Sequence, residues 1–210
     1  GALSQPTTVA IVGVASADLP MALPDGFDFA AGFNLDVGDV PLDQPLQISV
    51  PVPGTFAPGT KVYLFQAATV PDETGAEIPI WLEVEVGIVG ADGYARTTSP
   101  PYTGAGMSGT YMFGAAPPGS VGTVRGEIWA SFPLGINDGG TAFAVAAPLG
   151  GGAAVGVFAS LTTGFVFDML AGVRFLKIIQ IPPEGLPIVT SANVQVDAGR
   201  VATPQIVINT

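Results

Sequence analysis

The chain contains neither cysteine nor histidine among its 210 residues. Disulfides, thiolate or imidazole metal sites, cysteine nucleophiles and histidine acid–base catalysis are therefore excluded, and with them most hydrolase chemistry. Charge is scarce too. Only 11% of residues are charged, against roughly a quarter in an ordinary soluble domain. Basic residues are the scarcest of these, with 6 Lys and Arg against 17 Asp and Glu for a net charge of −11. Only Arg174 and Lys177 lie close together in sequence, so no basic patch is available to neutralise phosphates, and nucleic acid is not an expected partner. Lack of cysteine does not fix the compartment, since a β-domain of this size needs no covalent staple.

Glycine and proline, by contrast, are abundant: 29 and 20 residues. A chain punctuated this often cannot sustain long helices and must turn repeatedly between short strands, which predicts an all-β fold. The length suits two consecutive antiparallel β-sandwich domains of the immunoglobulin-like, Greek-key kind. A Pro- and Gly-rich joint at Ala115-Ala116-Pro117-Pro118-Gly119 marks the expected boundary. Charge shifts at the same place: residues 1–115 hold 12 acids and 2 bases, residues 116–210 hold 5 acids and 4 bases. The expected organisation is a leading strand or linker over 1–17, an acidic sandwich over 18–115 and an apolar, nearly uncharged sandwich over 116–210.

Within that frame, 7–14 reads as a leading strand, 46–50 alternates as a half-buried strand ended by Pro51, and 61–66 is a further strand. In 80–89 the residues Leu82, Val84 and Val86 alternate with Glu83 and Glu85, placing the glutamates on a solvated face. Asp92-Gly93 is a hairpin turn. Strands are expected over 123–132, 141–147, 153–161, 188–196 and 201–208. Residues 165–181 fit either periodicity, and Gly172 with the surrounding Phe, Val and Ile favours a strand bent at the glycine. Residues 139–167 carry no charge, but Pro148 and Gly150-Gly151-Gly152 interrupt them and basic anchors are absent, so two strands around a glycine loop are expected and no membrane span. Gly1-Ala2-Leu3-Ser4 does not read as a secretory signal.

The order Leu23-Pro24-Asp25-Gly26, Pro45-Leu46-Gln47-Ile48-Ser49-Val50-Pro51, Pro58-Gly59-Thr60-Lys61-Val62-Tyr63-Leu64-Phe65, Trp81-Leu82-Glu83-Val84 and Ala91-Asp92-Gly93 resembles the zonula-occludens/Unc-type β-sandwich module of ankyrins and netrin receptors, similar forms of which occur in large bacterial surface proteins. The resemblance covers about residues 18–114. Some relatives of that module cleave their own backbone at a His-Phe-Ser type site. The comparable place here, after Ser108-Gly109-Thr110, reads Tyr111-Met112-Phe113-Gly114, so the resemblance implies a non-cleaving copy with a mechanical or spacer role.

Candidate chemistry is thin. Asp18, Asp25, Asp28, Asp36, Asp39 and Asp43 lie in a window without Lys or Arg, and oxygen ligands at short spacing suit calcium. Asp36, Asp39 and Asp43 are the candidate ligands, set against the alternative of turn aspartates bonding their own backbone. No other cofactor is expected. Glu83 and Glu85 could form a paired-carboxylate site, but two glutamates on the wet face of a strand explain them as well. Trp81 and Trp129 are candidate carbohydrate platforms or core residues. No activated nucleophile can be named, and an enzyme is not expected.

These features point to a structural, non-catalytic segment or subunit of an extracellular bacterial surface protein, adhesin or filament. It would assemble with neighbouring copies or adjacent modules through apolar β-surfaces, the candidate interaction strands carrying Val9, Ile11 and Val12 and Val201, Ile206 and Ile208. The alternative is a surface module that binds carbohydrate or calcium.

Overall fold

The computed structural model describes residues 8–39, 41–98, 104–130, 141–160, 163–182, 185–204 and 206–208. These residues form strands almost throughout, joined mostly in antiparallel fashion, with one 3-10 turn at Ser16–Asp18 and no α-helix among them. The sixteen strands are β1 (Ala10–Val14), β2 (Asp28–Asp36), β3 (Ser49–Pro51), β4 (Lys61–Pro71), β5 (Glu77–Val89), β6 (Tyr94–Thr97), β7 (Gly109–Ala115), β8 (Val121–Gly126), β9 (Ile128–Ala130), β10 (Thr141–Pro148), β11 (Ala154–Ala159), β12 (Phe165–Leu170), β13 (Gly172–Ile181), β14 (Ile188–Val196), β15 (Val201–Ala202) and β16 (Ile206–Ile208). None of the described helical segments is long and apolar enough to cross a membrane.

The chain divides into two compact units. One comprises residues 1–23, 27–67 and 83–116, the other 24–26, 68–82 and 117–210. The tip of the β4–β5 hairpin thus belongs with the second half of the sequence. This removes the charge asymmetry seen along the chain: counted by unit, the first holds 8 acids and 2 bases and the second 9 acids and 4 bases, −6 and −5.

In the first unit β2 pairs antiparallel with β1 on one side and β7 on the other, and β7 continues to β4. Register places Phe33 beside Tyr111, and the two rings stack with centroids 5.4 Å apart. Phe27 meets the edges of Tyr63 and Phe65. Offset and edge-on contacts of this kind add about 0.5–1.5 kcal/mol per pair to the gain from burial itself. Tyr111 is fully buried, its hydroxyl donates to the Met107 carbonyl at 2.7 Å, and burial pushes its phenol up to about 12. On the far side β5 pairs with β6 and β6 with β3, which keeps Pro51 at an edge where its missing N–H costs nothing.

In the second unit β11 runs parallel to the start of β5, with Val155 beside Trp81, and antiparallel to β10. β13 lies between β10 and β14. The stretch without charge is therefore a hairpin of two strands around the glycine loop, with Ala144, Val145, Ala146, Val155 and Val157 buried. A small sheet in the order β12-β8-β15 packs against β11 and β14, and β16 pairs with β9.

The segment 165–181 is extended and broken at one residue. β12 pairs with β8 while β13 enters the larger sheet, so the chain changes sheet at Ala171. Gly172 takes φ +136, a conformation side chains rarely adopt, which is why glycine stands at the bend. The carbonyls freed there are taken up by Arg174, only 7% exposed. Its Nε and Nη2 donate to the Leu170 carbonyl at 3.1 and 3.0 Å, and Nη2 donates to the Ala171 carbonyl at 3.1 Å. Its ion pair with Asp25 is longer, 3.8 Å, and the Asp25 side chain is 61% exposed. Hydrogen bonds should therefore outweigh the ion pair. Arg174→Ala is expected to cost about 2–4 kcal/mol, since the packing of a buried side chain and three hydrogen bonds from a charged donor are lost, whereas Asp25→Asn should cost less than about 1 kcal/mol. Urea unfolding of both variants checks this ordering, and equal losses would contradict it.

Candidate functional site

The six residues proposed for interaction strands fall into two groups. Val9, Ile11 and Val12 lie just before and within β1 and are 40%, 50% and 63% exposed. β1 pairs only with β2 among the described residues, from Ala10 beside Asp36 to Val14 beside Gly32. Successive residues of a strand point to opposite faces. Exposure of both Ile11 and Val12 therefore means that neither face of β1 is covered, and its outer backbone edge has no described ladder partner. Val201 is also exposed, at 59%, but β15 is paired parallel to β8. Ile206 and Ile208 lie in β16, paired parallel to β9. The side chains of Ile206, Ile208 and Trp129 lie outside the described residues.

Asp36, Asp39 and Asp43 are all exposed. Asp36 closes a local turn, its Oδ1 accepting the Gly38 N–H at 3.0 Å. Ser108 holds the same turn, accepting from Val37 N–H at 3.0 Å and donating to the Gly38 carbonyl at 2.7 Å. The structure does not gather the three aspartates into a site. Among the described residues no group of three or more Asp or Glu side chains could hold a metal ion.

Glu83 and Glu85 depart from their expected place. Glu85 is 0% exposed and Glu83 half-buried, so the strand face expected to be wet is enclosed. β5 is covered on both faces here: from Ile80 to Gly87 every residue but Glu83 is buried. The backbone makes room for the carboxylate: a side chain at Gly104 would come within 2.8 Å of Glu85 Oε2. Trp81 is fully buried and offers no platform to a sugar.

At the turns, carboxylates bond locally. Asp72 Oδ1 accepts from the Thr74 hydroxyl and N–H and from the Ala76 N–H, and these bonds, the hydroxyl first, hold its carboxyl below the ordinary range. Asp92 and Arg96 form a two-pronged pair across the β5–β6 turn, with Nη1 on Oδ1 at 2.7 Å and Nη2 on Oδ2. That hydrogen bonding pulls the Asp92 carboxyl down to about 2.

No family model matches the chain, and neither curated proteins nor solved structures provide a match.

A carboxyl whose folded pKa lies below its ordinary value of 3.8 contributes stability above that value and loses it as pH falls towards 2. Carboxyl-carbon NMR titration should accordingly find Asp92 ionised down to about pH 2, and in Arg96→Gln its midpoint should return towards 3.8. An unchanged midpoint in that variant would show that the arginine does not set it.

Proposed function

We propose that this chain is a structural, non-catalytic segment or subunit of an extracellular bacterial surface protein, adhesin or filament. It joins neighbouring copies or adjacent modules by adding a strand at β1, and each unit is built as a β-sandwich. One observation carries the reading: among the described residues, an uncharged apolar strand is exposed on both faces and open along one edge. Such an edge offers unpaired N–H and C=O groups to another strand, with apolar side chains to enclose once it is there. The packing of the β12-β8-β15 sheet on β11 and β14 supports the sandwich description for the second unit. The resemblance of residues 18–114 to the zonula-occludens/Unc-type module agrees with a mechanical role.

The absence of histidine and cysteine supports the non-catalytic part, because the chain lacks the side chains that most readily move protons or attack carbonyls near neutral pH.

The purified chain should self-associate as its concentration is raised in light scattering. Val12→Asp should shift the population to monomer while changing folding stability by no more than about 0.5 kcal/mol, since the side chain is exposed. A wild-type chain that stays monomeric at the highest soluble concentration would sink assembly among copies.

A further inference from the structure

We infer that the strand completing β1 is the β1 of a second copy, paired antiparallel about Val12. This rests on the reading of β1 as an assembly edge and adds its partner and register.

The first reason is the glycine inside the strand. Gly13 has an ordinary negative φ, lies in an unbroken register opposite Phe33, and a side chain built on it would meet nothing within 4 Å. No turn, bulge or close contact within the described chain calls for glycine there. Yet glycine inside a strand is destabilising relative to alanine, because it loses more conformational freedom on folding. In a strand, such a residue otherwise marks close approach of another group. Antiparallel pairing centred on Val12 places Ala10 opposite Val14 of the partner and Ile11 opposite its Gly13. Directly opposed residues share a face, so each Ile11, now 50% exposed, would cover the open space over the other copy's Gly13.

The second reason is electrostatic. Each copy carries a net charge of −11, so two copies would be expected to repel. The proposed register limits the repulsion. Asp36 lies beside Ala10, and in the pair the two Ala10 residues stand at opposite ends. The two Asp36 positions are then three strand spacings apart laterally, roughly 14 Å, and about 14 Å apart along the strands, or roughly 20 Å overall. That exceeds twice the Debye length of about 8 Å at physiological salt, so screening removes most of the penalty. A parallel pairing would instead set the two Asp36 positions at the same end. The like net charge of −11 per copy makes association stronger as salt is raised, opposite to what a cationic partner strand would give.

Only a five-residue strand is joined, so the contact is small and the dimer weak.

Because the chain has no cysteine, single substitutions report the register directly. Directly opposed residues of antiparallel strands have Cα atoms about 4.5–5.5 Å apart, inside the range a disulfide spans. Under mild oxidation Val12→Cys should form a covalent dimer at least tenfold faster than Ile88→Cys, which is 48% exposed elsewhere. Ala10→Cys and Val14→Cys should each stay monomeric alone but cross-link when mixed, and Val12→Cys dimer yield should rise between 50 and 500 mM NaCl. Equal cross-linking at 10, 12 and 14, or none above the Ile88→Cys control, would overturn the pairing. Sedimentation of the wild-type chain separates the two failures. Self-association without the predicted cross-links removes this register and leaves the assembly reading standing, whereas no self-association removes both.

Discussion

Burial of β5 on both faces is the interaction on which the rest of the fold depends. Ile80 and Trp81 are fully buried and Leu82 nearly so, and each such side chain contributes roughly 1.5–3 kcal/mol relative to exposure. The same strand supplies ladder partners at both ends, to β11 through Ile80–Leu82 and to β6 through Gly87–Val89. Beside it β4 is equally enclosed, with Val62, Leu64, Phe65 and Val70 all at 0% exposure. A chain with so few charges can hide this much apolar surface because its two longest strands form one hairpin that both compact units use.

That arrangement explains what the sequence could and could not disclose. Strand existence was legible wherever β-branched and aromatic runs met strong turn residues, as at Asp92-Gly93 and around Gly172. The change of sheet at Gly172 was not, because a glycine announces a bend without naming the partners on either side of it. The alternation of Leu82, Val84 and Val86 with Glu83 and Glu85 suggested a half-wet strand, and failed because period-2 patterning reports two faces without saying that either meets solvent. Charge counted along the chain suggested an acidic half and a neutral half. Long-range pairing defeats such a count: the acids of the hairpin tip, Asp72, Glu73 and Glu77, fold with residues far downstream.

The candidate interaction strands show the same limit. Val9–Val14 and Val201–Ile208 look alike as short apolar runs, yet the latter is divided at Pro204 into two strands that both find parallel partners. Local composition predicts a strand, whereas exposure depends on which other segments return to lie beside it. The aspartates considered as calcium ligands illustrate a related limit. Asp36 is committed to its own turn, and short spacing in sequence does not make three aspartates converge.

The treatment of the other sheet edges sharpens the case for β1. An exposed edge is normally blunted by proline, by charge or by brevity. β3 has three residues and carries Pro51, β15 has two and is followed by Pro204, β12 carries Asp168 within it, and β14, which has neither proline nor charge, is covered by packing against β8, β15 and β16. β1 has five residues, no proline and no charge, and its side chains are more exposed than those of most other strands. Among the described residues, the chain that protects its other edges leaves this one bare. In a protein short of charge everywhere, an unguarded apolar edge is an aggregation hazard unless pairing there is its use, and the protection given to the neighbouring edges shows that the means of guarding it were at hand.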